Sequence, residues 1–168
     1  MTLQDILRTK GSAVQRIGPD ATLDEVVRQL VHHNIGSLVV CDDRATERSV
    51  AAGNEETECG EAPDAACGPS GAMLGIITER DILRACAESP LPLDQQRVAE
   101  RMTAQPVTGS PQDSVSDTMG LMTRRRIRHL PIVEDGRLCG LISIGDVVKA
   151  QHDNMVMENH YLKSYIQS

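Results

Sequence analysis

The chain has 168 residues and is 40% hydrophobic, with no Trp, no Phe and two Tyr, which supplies apolar material for one compact domain or two small, intimate ones. A net charge of −7 speaks against a nucleic-acid binder, which needs a basic face toward phosphate. No stretch reaches the roughly 18 apolar residues of a membrane span.

The opening MTLQDILRTK has neither an apolar run nor a basic leader, so no signal peptide is expected. Val14–Ile17 reads as a short first strand. Thr22 is a helix N-cap and Glu25, three residues on, completes a capping box. Leu23, Val26, Val27, Leu30 and Val31 then form a helical apolar stripe, closed by His32 and His33. Ser37–Cys41 and Met73–Ile77 are short apolar strands, and a helix begins near Glu79 and stops at Ser89–Pro90.

Between those two strands lies Arg44–Ala72, with six acids against Arg44 and Arg48, one Val and no Leu or Ile. Such a segment cannot repay its ordering entropy by burial, so a disordered acidic loop is expected at about 44–72. The alternative is a partner-binding or redox loop acting through Cys59 and Cys67.

The second half repeats the first. Pro19, Thr22, Leu30, Ile35 and Leu38 match Pro111, Ser114, Met122, Ile127 and Leu130 at a constant offset of 92, and 75–83 matches 140–148 at an offset of 65. Pro106–Thr108 is the short strand of the second copy, Ser114 its N-cap, and Val115, Met119 and Met122 its thinner stripe. Leu130–Val133 and Leu138–Ile142 are its strands. Glu134–Asp135–Gly136–Arg137 is the hairpin turn, where Asp–Gly supplies the positive φ. A last helix starts near Ile144. Val148, Met155, Leu162 and Tyr165 carry it from about Gly145 to Tyr165, with Asp153–Asn154 as the place for a break. Each copy is thus a strand–helix–strand–strand–helix unit, of a size that is marginal alone.

The chemistry is concentrated at two equivalent places. In Thr78-Glu79-Arg80-Asp81 and Ser143-Ile144-Gly145-Asp146 a strand ends on a hydroxyl residue and an acid follows three later. That arrangement caps a helix. It also suits a ribose, whose hydroxyls a carboxylate accepts, and a phosphate, which first-turn N–H groups hold. Arg124, Arg125, Arg126, Arg128 and His129 form the one dense basic run, either a solvated helix end or a phosphate-contacting edge. The five Cys show no paired or zinc-type spacing, no metal motif is present, and no nucleophile–base set recurs. The expectation is a reduced cytoplasmic protein with no catalytic residues, no metal and no fixed cofactor.

MTRRRIRHLPIVEDGRLCGLISIGDVV, with the earlier VHHNIGSLVV and GIITERDIL, resembles the CBS-domain signature twice over, and the chain resembles a tandem CBS pair (Bateman module). The resemblance implies an α/β fold of two β-α-β-β-α units packed sheet to sheet with pseudo-twofold symmetry. It divides the chain into 3–89, 90–152 and a helical extension 153–168. It further implies a regulatory module that binds adenosyl ligands (AMP, ADP, ATP, NAD or S-adenosylmethionine) in two clefts, as a homodimer or with a protein partner. The alternative is a dimerisation or interaction module without a nucleotide. By the same resemblance Thr78 and Asp81 serve one cleft and Ser143 and Asp146 the other. Val14, Ile17, Val107, Leu38 and Pro131 lie near the adenine. Arg128 and His129, whose counterparts are Gly36 and Ser37, make the Asp81 cleft basic and leave the Asp146 cleft without that charge.

Overall fold

A computed structural model describes residues 1–11, 13–42 and 73–166 of the protein, so the expectation for Arg44–Ala72 lies outside the described residues. In chain order the elements are α1 (Leu3–Lys10), β1 (Arg16–Ile17), α2 (Leu23–His33), β2 (Ser37–Cys41), β3 (Met73–Thr78), α3 (Glu79–Glu88), a 3₁₀ turn (Leu93–Gln95) and α4 (Val98–Arg101). They continue with α5 (Val115–Arg125), β4 (His129–Glu134), β5 (Arg137–Ser143) and α6 (Ile144–Ile166). Among the described residues no helix is long and apolar enough to cross a membrane.

The local chemistry of the two copies is the same. Thr22 accepts the Glu25 N–H at its Oγ (3.3 Å), while Glu25 accepts the Thr22 N–H (2.7 Å), so α2 begins on a complete capping box. Ser114 starts α5 through a single bond from the Asp117 N–H at 3.4 Å. Both helices end on a left-handed residue, Asn34 (φ 51°) and its counterpart Arg126 (φ 54°). The next N–H, of Ile35 or Ile127, reaches back to the carbonyl of Leu30 or Met122 at 3.0 Å in each case. This closure turns the chain into the strand that follows. The β4–β5 hairpin turns through Asp135 (φ 49°) and Gly136 (φ 76°), as the Asp–Gly pair requires.

The chain divides into two compact units, Ala13–Pro106 and Met1–Ser12 with Val107–Ser168. In the first, the sheet runs β1-β2-β3, with β1 parallel and β3 antiparallel to β2. Leu23, Val26 and Leu30 of α2 and Ile82 and Ala85 of α3 cover Leu38, Val40 and Ile77. In the second, α1, α5 and α6 cover β4 and β5 through Leu3, Ile6, Val115, Met122, Leu130, Ile142 and Val147.

The units depart from the sequence boundaries 3–89 and 90–152. α1 belongs to the unit of the second repeat, and 90–106 to that of the first. The cause is backbone bonding, by a strand edge in one case and by the start of a helix in the other. Ile76 of β3 exchanges backbone bonds with Thr103 (3.1 and 2.9 Å), whereas Leu3 and Gln4 of α1 donate to Asp113 and Pro111 (3.0 and 2.9 Å).

Two further expectations change. The strand at Pro106–Thr108 reduces to a single bridge, Gly109 with Ile132. Where Val39 donates its N–H to Gln15 in the first copy, the second has Pro131, which has no N–H to give. The last helix is unbroken at Asp153–Asn154, and the segment 153–166 continues α6 without an interruption.

Candidate functional site

Each unit presents the same strand–helix junction. In the first, the Gly36 carbonyl accepts the N–H of Glu79, the first residue of α3, at 3.2 Å. In the second, the Arg128 carbonyl accepts the N–H of Ile144, the first residue of α6, at 2.8 Å. Ser37 pairs with Thr78, and His129 pairs with Ser143, in the corresponding strand registers. The alignment of Arg128 and His129 with Gly36 and Ser37 is therefore a structural equivalence.

Inside each junction the hydroxyl residue and the acid are locked together. The Thr78 N–H and hydroxyl both donate to Asp81 Oδ2, at 2.9 and 2.7 Å. The Ser143 N–H and hydroxyl both donate to Asp146 Oδ2, at 2.8 and 2.7 Å, and the Asp146 N–H returns a bond to Ser143 Oγ at 3.2 Å. No described residue donates to Oδ1 of either acid. Each motif thus caps its helix with one carboxylate oxygen and keeps the other as an acceptor. Capping and ligand binding, alternatives in the sequence, are compatible in the structure.

The other expected residues fall on both sides of these junctions. Ile17 and Leu38 are buried in the core of the first unit, so their side chains are committed to packing. Val14 and Val107 are half-buried, Pro131 is buried, His129 is half-buried and Arg128 is exposed.

The sequence reading missed Lys10. From the last turn of α1 its ammonium donates to Asp146 Oδ2 at 2.6 Å and to the Leu141 carbonyl at 3.1 Å. The expectation that the Asp146 site lacks a cation is corrected accordingly. The reason is the placement of α1 on the second repeat rather than the first. Burial pushes the Asp146 carboxyl up. The bond from Lys10, the two donors of Ser143 and the Lys10 charge outweigh that and hold it below the usual carboxylate range. At the offset of 92 the counterpart of Lys10 is Met102, and among the described residues no ion pair reaches Asp81. Carrying the repeat back past Pro19 to the first ten residues would have shown this difference.

A family model described as the CBS domain matches residues 5–46 and 98–153. The CBS domain-containing protein CBSX3, mitochondrial, of Arabidopsis thaliana is 31% identical over 172 residues, 99% of this chain and 72% of that protein. The crystal structure of the CBS-domain containing protein ATU1752 from Agrobacterium tumefaciens matches with a TM-score of 0.71 at 34% identity, over 90% of this chain and 99% of that one. The CBS domain protein PAE2072 from Pyrobaculum aerophilum, complexed with AMP, matches with a TM-score of 0.62 at 26% identity, over 87% and 89%.

Proposed function

The chain belongs to the CBS-domain family, as a tandem pair of a kind that is regulatory rather than catalytic, and from that premise we propose that it senses an adenosyl nucleotide and signals through its own dimer or a partner chain. The observation that carries this reading is the pair of matching junctions, each with a carboxylate held at one oxygen and open at the other. In this reading Asp81 and Asp146 accept the ribose hydroxyls. Thr78 and Ser143 orient those acids, and the first turns of α3 and α6 face the phosphate. Arg128 and His129 add positive charge. Val14 and Val107, with the backbone around Ile17, Leu38 and Pro131, line the adenine. The AMP complex of the Pyrobaculum relative supports the ligand class.

The dimer has its own support. Val31 and Leu83 are 76% and 70% exposed beside a groove of about 620 Å³ between α2 and α3, lined also by Val27, Leu30 and Ile35. Exposed apolar side chains grouped in this way mark an interaction surface. We assign this groove to a second copy of the chain. A reducing, cytoplasmic setting belongs to the same reading, supported by five cysteines without paired spacing.

Calorimetry with AMP, ADP, ATP, NAD and S-adenosylmethionine tests the proposal. Binding of at least one ligand is expected, with loss of a binding event in Asp81→Ala and in Asp146→Ala. Absence of heat and of thermal stabilisation with all five would overturn nucleotide sensing and leave the interaction module.

A further inference from the structure

The two junctions differ in several charged groups, and among the described residues Lys10 is the one that bonds directly to the acid of its junction, where a ligand's charge would matter. In the second unit Asp146 Oδ2 accepts three bonds, from the Ser143 N–H, the Ser143 hydroxyl and Lys10 Nζ. A carboxylate oxygen offers about two lone-pair positions, so Oδ2 is saturated and only Oδ1 remains for a ligand. Lys10 has three donors. Two are spent on Asp146 and Leu141, and the third has no acceptor among the described residues. The ammonium is held in place from both sides, at the end of a side chain that is 42% exposed.

The first unit fills the corresponding places differently. Leu141 and Ile76 are equivalent strand residues at the offset of 65. The Ile76 carbonyl is occupied by the backbone N–H of Thr103, and the residue before it is Met102. The sulfur of Met102 lies against Gly75, 3.1 Å from where a methyl group would stand. Among the described residues no cation pairs with Asp81, whereas Asp146 is paired with an ammonium.

We infer that Lys10 is a specificity residue of the Asp146 site, which it makes selective for an adenosyl ligand carrying phosphate. The inference rests on the adenosyl reading given above. A phosphate brought beside an ionised carboxylate is repelled. With the carboxylate neutralised and one ammonium hydrogen unspent, the same phosphate gains a charge-assisted bond instead. Adenosine, which presents hydroxyls and no charge, gains little from Lys10.

The experiment compares adenosine and AMP by calorimetry on the full chain, in the wild type, Lys10→Met and Lys10→Arg. Lys10→Met is expected to weaken AMP at one site about tenfold to a hundredfold and adenosine by less than about threefold. Lys10→Arg retains the charge and is expected to restore most of the AMP affinity. A thermal melt of each variant identifies a loss caused by unfolding, and Lys10→Arg keeps the comparison open if Lys10→Met does not fold. If the wild type binds AMP and Lys10→Met has the same ratio of AMP to adenosine affinity, this inference fails and the adenosyl reading stands. If Lys10→Arg loses AMP as completely as Lys10→Met, charge is not the determinant and the inference fails in the same way. If the wild type binds neither compound, this inference fails, and the adenosyl reading falls with it only if ADP, ATP, NAD and S-adenosylmethionine also give no heat and no thermal stabilisation.

Discussion

Leu7 lies over Gly140 so closely that a methyl group on that glycine would stand 2.6 Å from Leu7 Cδ2. The equivalent glycine in the first unit, Gly75, would direct its methyl onto the backbone carbonyl of Thr103. The two neighbours differ in compliance. A leucine methyl at the end of a side chain can rotate away, whereas the Thr103 carbonyl is held by its bond from the Ile76 N–H. Gly75→Ala is therefore expected to destabilise by about 2–3 kcal/mol and Gly140→Ala by about 1 kcal/mol, within the usual range for overpacking. Denaturant melts of both variants measure the order. Gly140→Ala as the more damaging change would show that α1 is less adjustable than the Thr103 segment.

The Lys10–Asp146 pair makes stability depend on pH in a definite direction. Lys10 and the Ser143 donors hold the folded-state pKa of Asp146 below the ordinary aspartate value. Its contribution is thus present above the unfolded pKa and is lost as pH falls through the folded one. The pair is partly exposed, 42% at Lys10 and 25% at Asp146, so Lys10→Met should cost about 1 kcal/mol or less at neutral pH. The variant also leaves burial, which raises the Asp146 pKa, opposed only by the Ser143 donors. Its stability should begin to fall at a higher pH than the wild type's. Urea midpoints followed from neutral pH into the acid range give the two curves, and superimposable acid limbs would contradict the pairing.

The N-caps of α2 and α5 should not be equal. Thr22 and Glu25 satisfy each other's N–H groups, and the backbone and hydroxyl of Thr22 hold the Glu25 carboxyl below its usual range. Ser114 makes one long bond. Thr22→Ala is expected to cost about 1–2 kcal/mol and Ser114→Ala about 0.5 kcal/mol, read from thermal melts of the two variants. Equal losses would mean that the reciprocal Glu25 bond adds nothing.

The C-terminal helix provides a test of assembly. α6 continues to Ile166, and Val148, Met155, Val156 and Met157 are each more than half exposed along it. Removing everything after Ala150 is expected to shift the protein toward monomer in sedimentation velocity if this helix packs on the dimer mate. Val31→Glu with Leu83→Glu tests the α2–α3 groove in the same measurement. A dimer unchanged by both alterations would rule out both surfaces.

The elements legible in the sequence were those with repeated, local causes. Thr22 with Glu25, the apolar spacing of Leu23, Val26 and Leu30, and the Asp135–Gly136 turn each act within a few residues, and each appears where its chemistry places it. Thr78–Asp81 and Ser143–Asp146 were legible for the same reason, since the bonds that define them span three positions. What escaped depends on distant pairings. The loss of the strand before Gly109 turns on the missing N–H of Pro131, which matters only once the chain has brought the two together. Lys10 reads as the end of a polar opening segment until α1 is seen to bond residues 131 and 136 positions further on. Thr2 and Asp5 do form a recognisable cap for α1, but a cap does not say which half of the chain the helix will join.

The crossed ownership of the segments before each repeat governs how the protein can be divided. A cut between Ser89 and Pro90 leaves Leu3 and Ile6 on the piece that does not need them, and Val98 on the piece that cannot use it. Neither fragment is then a domain in the ordinary sense, because each lacks part of its own core while carrying part of the other's. Production follows the same logic. During synthesis α1 emerges before the first unit and stays unmatched until β5 and the start of α6 have been made, so a segment made ahead of one unit completes the other. Two separately made halves should recover their structure by complementation rather than one at a time.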